Sequence, residues 1–420
     1  MTKNKIAQIF LYLWLLIWPW QTKLILRSSD SPYLEISLFL SLIILLAPIL
    51  IWSRQIIRED YWRFEKGKTK SWWWIALISL ELITFASIFW AQDALLALHR
   101  YIILVFGILL FYIIKRTDLV SAKLVIRYFL IGLIAPALLA IWQFFNQSTI
   151  ANKYFGLAYH AAKILGDSVI ETGAGRFLRA YGPFDHPNIL GGMMAIGIIL
   201  VLYSSLRKEI NRNERLFYLI TLAIFYLALL VSFSRTAWLA LIISVPFVLM
   251  IKVRRGKFQR KLIGFFIFLI IGMSAAVIIP GRELFLVRVQ TESRLEQKSV
   301  SEREVYLKQA QEVITQKPVL GTGVGNYILD LQKIIPGQPS WYYQPVHNYW
   351  LLAWAELGIF GLIAIILFWF AIFKAGLKNG LWPIVLALGV FSLLDHWLWT
   401  QTLGILVFFM VAGLLFREDI

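Results

Sequence analysis

The sequence contains no cysteine. Disulfides, thiol nucleophiles and cysteine-ligated metals are therefore excluded as sources of stability or chemistry. Charge is scarce as well. Asp, Glu, Lys and Arg make up 15% of the 420 residues, where soluble domains carry about 25%. Acidic residues are the scarcer sign, 24 against 41 Lys and Arg. No internal repeat and no low-complexity tract interrupts the chain. What fills it instead is apolar: 59% hydrophobic residues and a mean hydropathy of +0.71. This balance excludes a disordered chain, a collagen-like chain and a soluble two-domain enzyme, and leaves a polytopic membrane protein.

A helix crossing a bilayer needs about 20 mostly apolar residues. Unpaired backbone groups are not tolerated in hydrocarbon, so helices are the reading for apolar runs of this length. Twelve such runs stand out, at about 6–26, 33–53, 72–90, 95–114, 124–145, 188–206, 216–233, 236–251, 262–280, 347–373, 381–396 and 399–416. The chain reads as an all-α polytopic membrane protein, one membrane domain over 1–420 with about 12 transmembrane helices. Two long segments interrupt the spans, 146–187 and 281–346. The second is expected to form a large helical extracytoplasmic loop before the tenth helix. In it Ser301 and Glu304 have capping-box spacing, followed by Tyr306, Ala310, Val313 and Ile314 at helical period before Pro318.

Met1–Lys5 and the apolar run behind it resemble a signal peptide. No small-x-small cleavage site follows, and Trp14, Trp18 and Trp20 suit an interfacial anchor, so the run is read as a retained span. The net charge of +17 is read as the positive-inside rule, not as a nucleic-acid footprint. With Met1 in the cytoplasm, both termini lie inside together with the basic stretches 54–70, 115–123, 207–215 and 252–261. Bases and acids nearly balance on the other side. All five histidines, His99, His160, His186, His347 and His396, then fall on the outer side, as do three polar clusters. These are Arg179 to Asn188, Ser234-Arg235-Thr236 and His347-Asn348, each at the outward N-terminus of an even-numbered span. Pro187 suits a first helical turn and Ser234 an N-cap. Helix N-termini attract anions, and arginine binds phosphate bidentately, so Arg179 and Arg235 point to a phosphate site. Gly321-Thr-Gly-Val-Gly325 follows a helix and reads as a tight turn, not a dinucleotide loop. Trp72 to Trp74 read as an interfacial belt. Asp185-His186 and Asp395-His396 carry metal-ligand chemistry, but no His-x-x-x-His or carboxylate cluster accompanies them, so no metal is expected.

Together these motifs resemble the O-antigen ligase/O-antigen polymerase superfamily of bacterial membrane glycosyltransferases. The features that match are Arg179 with Gly182-Pro-Phe-Asp-His-Pro-Asn188, Ser234-Arg235-Thr236-Ala-Trp238, and Ser301-Glu-Arg303 before Pro318-Val-Leu-Gly-Thr-Gly-Val-Gly-Asn326. His347-Asn348 before Glu356-Leu-Gly-Ile-Phe-Gly361 completes the set. They cover the second half of the chain; the first half matches in hydropathy alone. Tyr306 stands where the family often has tryptophan.

The resemblance implies transfer of an oligosaccharide from a polyprenyl (undecaprenyl) diphosphate carrier to an acceptor hydroxyl at the outer face of the bacterial cytoplasmic membrane. A diphosphate departs without a general acid, so a glycosidase-type carboxylate pair is unnecessary. Charge stabilisation at the breaking C1–O bond is what remains, and Arg179, Arg235 and Arg303 are expected to supply it in place of a metal. His347 is the expected base, with His186 as second choice. Asn188, Asn348, Ser234 and Glu356 are expected to support them. The implied reaction is inverting, metal-independent and cofactor-free. The expected acceptor is lipid A-core (O-antigen ligase). A repeat unit of O-antigen or exopolysaccharide (polymerase) and a protein hydroxyl (O-oligosaccharyltransferase) are the alternatives. A lipid-linked sugar transporter is the competing class, disfavoured by the absence of repeats and of midplane charges.

Overall fold

The computed structural model describes residues 2–60, 72–207, 210–253, 257–290, 294–417 and 419–420. Basic residues assigned above to 61–70, 208–209 and 254–255 lie outside the described residues, as does the acidic Glu418. The chain is predominantly helical. In order it forms α1 (Lys3–Ile17), β1 (Lys23–Arg27), β2 (Ile36–Phe39), α2 (Leu40–Asp60), α3 (Trp73–Ala86), α4 (Ala94–Lys115), α5 (Ala122–Asn146), β3 (Val169–Thr172) and β4 (Gly175–Leu178). There follow α6 (Pro187–Ser205), α7 (Arg212–Ser232), α8 (Arg235–Val253), α9 (Lys257–Ile278), α10 (Arg282–Gln290), α11 (Arg294–Gln316) and α12 (Tyr327–Ile334). The chain ends with α13 (Tyr349–Asn379), α14 (Pro383–Leu394), α15 (Trp397–Thr400) and α16 (Thr402–Leu415).

Among the described residues six helices are long and apolar enough to cross a membrane: Ala94–Lys115, Ala122–Asn146, Pro187–Ser205, Arg212–Ser232, Arg260–Ile278 and Tyr349–Asn379. Shorter apolar helices cover Leu40–Ser53, Trp73–Phe89, Arg235–Ile251, Pro383–Leu394 and Thr402–Leu415. The protein is accordingly a helical, multi-pass membrane protein.

Three local expectations are corrected. The run at 33–53 opens as a strand, because Ile36–Phe39 pairs antiparallel with Lys23–Arg27 before α2 starts. Trp14 and Trp18 do not form an interfacial anchor: both are buried, and Trp18 stacks on Phe129 of α5 with ring centroids 5.3 Å apart. Ser301 is not an N-cap. Helix α11 already starts at Arg294, and the Ser301 hydroxyl donates back to the Lys298 carbonyl (2.9 Å), a bond that competes with capping inside a helix.

Helix α6 is the axis of the bundle. It packs against α5, α7, α8 and α14, and 94% of its apolar window is enclosed by protein. Lipid tails are as apolar as leucine, so such packing depends on close fit, and small residues permit it. Two adjacent glycines seat its first turns. A Cβ at Gly191 would lie 2.5 Å from the Ser234 Cβ, and one at Gly192 would lie 2.6 Å from the Trp397 ring. The start of α6 is thereby pressed against the start of α8 on one side and against α15 on the other.

A second close approach shapes α13. Gly358 interrupts this helix with φ 67° and ψ −173°, a conformation open essentially to glycine alone. The turn Pro318–Asn326 fills the break: Thr322 and Gly323 donate to the carbonyls of Ala355 and Glu356 (both 2.9 Å), and Ile359 donates to Pro318 (3.0 Å). Two stretches that look like separate motifs in the sequence form one clasp.

Candidate active site

The polar motifs gather at one end of the bundle, where α6, α8 and α13 begin and α7 and α14 end. The turn leading into α6 is held by Gln143 of α5, which is fully buried. Its Oε1 accepts from the N–H groups of Tyr181 (3.1 Å) and Gly182 (2.7 Å), and its Nε2 donates to the Gly182 carbonyl (2.9 Å). Pro187 occupies the first helical position and His186 the N-cap. Ser234 caps α8, accepting from the Ala237 N–H at 3.4 Å.

Four arginines from separate segments converge here. Arg179 is buried; its Nε donates to the Ser232 carbonyl (2.9 Å) and its Nη2 to Asn188 Oδ1 (2.7 Å). Arg288, from α10, is also buried and donates through Nε and Nη2 to the Phe233 carbonyl. Phe233 terminates α7 in the left-handed region (φ 49°), which turns its carbonyl toward Arg288. Both guanidinium groups thus cover the negative end of α7. Arg235 donates to the Arg288 carbonyl (3.3 Å), and Arg303 of α11 is in electrostatic range of Arg235, Glu296 and Asp395. Glu296 is the carboxylate within the cluster. It is bonded to Arg288 and its Oε2 lies 2.9 Å from Arg235. Burial, reinforced by the like charge of Arg288, lowers the Arg179 pKa well below the ordinary arginine value. Among the described residues, four guanidinium groups therefore face two carboxylates, Glu296 and Asp395, with positive charge in excess.

Asn188 joins the arginines to the histidines. While Oδ1 accepts from Arg179, Nδ2 reaches Asp395 Oδ2 at 3.4 Å. Asp395 lies between α14 and α15 and accepts the His396 N–H on Oδ1 (2.7 Å); the same oxygen is 3.8 Å from His347 Nδ1. Burial alone would raise the Asp395 pKa, but the facing His347 outweighs it and brings the group below the usual carboxylate range. The His347 side chain retains 32% exposure, yet its Nδ1 is buried and has no hydrogen-bond partner among the described residues. The Tyr306 ring stands 5.8 Å from it, centroid to centroid.

The three converging imidazoles differ in role. His186 accepts the Asn188 N–H on Nδ1 (3.1 Å), so its proton sits on Nε2 and faces the Ser168 hydroxyl at 3.0 Å. Burial and the nearby Arg179 lower its pKa, so it stays neutral. His396 directs Nδ1 at the Thr400 hydroxyl (2.8 Å), which in turn donates to the His396 carbonyl. Burial, followed by the neighbouring His347, lowers the His396 pKa to about 4. Thr400 is itself fixed by Arg100 of α4, which donates to its carbonyl at 3.1 Å. His99 and His160 are engaged elsewhere, with the Ser37 carbonyl and with Asp167.

Of the residues singled out in the sequence, Arg179, Arg235, Arg303, Asn188, Ser234, His186 and His347 come together. Asn348 caps α13, accepting from the Leu351 N–H (3.0 Å) and donating to the Leu393 carbonyl (3.1 Å). Glu356 lies apart, buried against Trp399 Nε1 (2.8 Å) in a small cavity shared with Tyr33 and Arg100. Sequence reasoning passed over Arg288 and Glu296, which carry no motif. It weighed Asp395-His396 only as a local metal pair. The structure adds His347 to that pair, with one donor atom from each of the three within 4.8 Å of the others. Such a set is chemically able to hold a divalent ion, and no local spacing reveals it because His347 is remote in sequence.

Residues 217–366 match the family model described as O-antigen ligase. The matched stretch includes Ser234, Arg235, Arg288, Glu296, Arg303, His347 and Glu356, and excludes Arg179, Asn188 and Asp395. No curated protein matches the sequence.

Proposed function

From membership of the O-antigen ligase superfamily of membrane glycosyltransferases, which that match supports, we propose that this chain transfers an oligosaccharide from a polyprenyl diphosphate carrier to an acceptor hydroxyl. The proposed acceptor is lipid A-core, and the reaction takes place at the outer face of the bacterial cytoplasmic membrane with both termini inside. The observation that carries this reading is the continuous polar path from the arginine cluster through Asn188 and Asp395 to His347.

At one end of the path the donor diphosphate binds Arg179, Arg235, Arg288 and Arg303 beside the N-termini of α6 and α8. As the C1–O bond breaks, its electron pair passes to the diphosphate oxygen. Preorganised donors at such a developing anion lower the barrier by about 3–4 kcal/mol each. At the other end His347 takes the proton of the acceptor hydroxyl while that oxygen attacks C1 opposite the leaving group, with inversion. Asp395 orients the imidazole and stabilises the imidazolium that forms. His186, fixed as a neutral N-cap, positions Asn188. The arginines already supply the positive charge the leaving group needs, so the reaction runs without a metal.

The test uses purified protein, a carrier-linked glycan, and lipid A-core, repeat-unit and protein acceptors in parallel, with and without EDTA. Transfer to lipid A-core that survives the chelator and falls at least about 100-fold in Arg235→Ala is the expected outcome. Product on the repeat-unit acceptor instead makes the chain a polymerase, and unchanged kinetics in Arg235→Ala remove the arginine site.

A further inference from the structure

We infer that Glu296 is a built-in anion, seated where the donor diphosphate binds and displaced by it. The inference rests on reading the arginine cluster as a diphosphate site. The Glu296 side chain is 4% exposed, and its two oxygens are divided between the guanidinium groups of Arg288 and Arg235. A phosphate spanning two arginines would place its oxygens in the same way. The two ends are not equally satisfied. Oε1 is hydrogen-bonded to Arg288, whereas Oε2 is 2.9 Å from Arg235 but has no donor in line, which leaves it a buried oxygen without a hydrogen bond among the described residues.

A carboxylate held between two arginines keeps the empty site from carrying uncompensated buried charge, a costly state. It also sets a threshold for any ligand. An anion that replaces Glu296 must restore both contacts and gain more besides. A diphosphate does so, because its second phosphoryl group reaches toward Arg179 and Arg303 while the first takes the place of the carboxylate. A single phosphate or a phosphodiester headgroup replaces the carboxylate without the additional contacts. Glu296 thereby selects for two linked phosphates. Its position adds a consequence. Glu296 and Arg303 are seven residues apart on α11, about two turns and on one face, so expelling the carboxylate moves the same helix that carries Arg303.

The decisive measurement is calorimetric titration of the purified full-length protein with inorganic pyrophosphate, for the native sequence, Glu296→Gln and Glu296→Asp. Inorganic phosphate and phosphatidylglycerol nanodiscs serve as the other anions. Pyrophosphate is expected to bind Glu296→Gln at least about tenfold more tightly than the native protein. It is also expected to raise the melting temperature of that variant more. In the native protein pyrophosphate outcompetes the other two, and the gap narrows in Glu296→Gln. The shorter carboxylate of Glu296→Asp engages one arginine and gives an intermediate affinity, which keeps the test open should the glutamine variant fail to fold. Equal or weaker binding by both variants, with binding retained by the native protein, overturns the role of Glu296 and leaves the diphosphate site standing. Pyrophosphate bound by none of the three overturns both.

Discussion

Replacing Asp395 with asparagine keeps the shape of the side chain and, on its one oxygen, the acceptance of the His396 N–H; it gives up the weak 3.4 Å bond from Asn188 and removes one negative charge 3.8 Å from His347. When His347 takes a proton in the transition state, that charge becomes one member of an ion pair. Opposite charges about 4 Å apart attract by about 4 kcal/mol at an effective dielectric near 20. His347 is about a third exposed, and water screening at that edge brings the lower bound to about 2 kcal/mol. Converted through the rate equation, kcat falls between about 30-fold and about 1,000-fold. The donor KM stays within about threefold, because the arginine cluster is untouched. Steady-state transfer from a carrier-linked glycan, compared for Asp395→Asn and the native protein with their melting curves alongside, measures both constants. A folded Asp395→Asn protein that keeps kcat within about threefold refutes the assignment of Asp395 as the partner of the base.

Two further predictions concern stability. His396 has a pKa of about 4 in the fold against 6.5 for the free side chain, so between those values the unfolded chain holds the extra proton. Its contribution is level above pH 6.5 and is lost as pH falls toward 4, with a slope of about 1.4 kcal/mol per pH unit. Melting temperatures in detergent should drop over that range, and His396→Asn should flatten the drop; an unchanged slope contradicts the buried neutral imidazole. A Cβ at Gly358 would lie 1.9 Å from the Val319 carbonyl oxygen, at a φ of 67°. Gly358→Ala is therefore expected to cost about 3 kcal/mol or more and to lower the melting temperature sharply. Retention of the native melting temperature would mean that the break in α13 is not needed.

Hydropathy and punctuation revealed the helices because both are local properties. The runs at 95–114 and 124–145 differ from α4 and α5 by a residue or two, and Pro187 and Ser234 mark the helix starts they were expected to mark. The errors arose where a local signal was outvoted by a distant partner. Ser301 has capping-box spacing, but α11 begins seven residues earlier and absorbs it. Trp14 and Trp18 have the composition of an anchor, but α5 offers them a packed interior. Ile36–Phe39 is apolar enough for a span, but Lys23–Arg27 supplies a strand partner. In the candidate site, Arg179, Arg235 and His347 were legible because they sit in dense motifs at helix starts. Arg288 and Glu296 stand in an ordinary charged stretch; the Phe233 carbonyl receives Arg288, and Arg288 and Arg235 together hold Glu296. Asp395 was visible as a residue but not as the neighbour of His347.

The enclosure of α6 also bears on how the protein meets its bilayer. A helix wrapped almost wholly by other helices exchanges few contacts with acyl chains, whereas Arg260–Ile278 has only 11% of its window covered. When the membrane thins or thickens, the mismatch is taken up first by such peripheral helices through tilt. Arg179, Asn188 and the capping residues travel with α6 and its immediate neighbours, so their spacing is mechanically insulated from the lipid. On the proposed reading, the groups at the start of α6 hold their spacing when the bilayer changes thickness, and the lipid acts first on peripheral helices such as Arg260–Ile278.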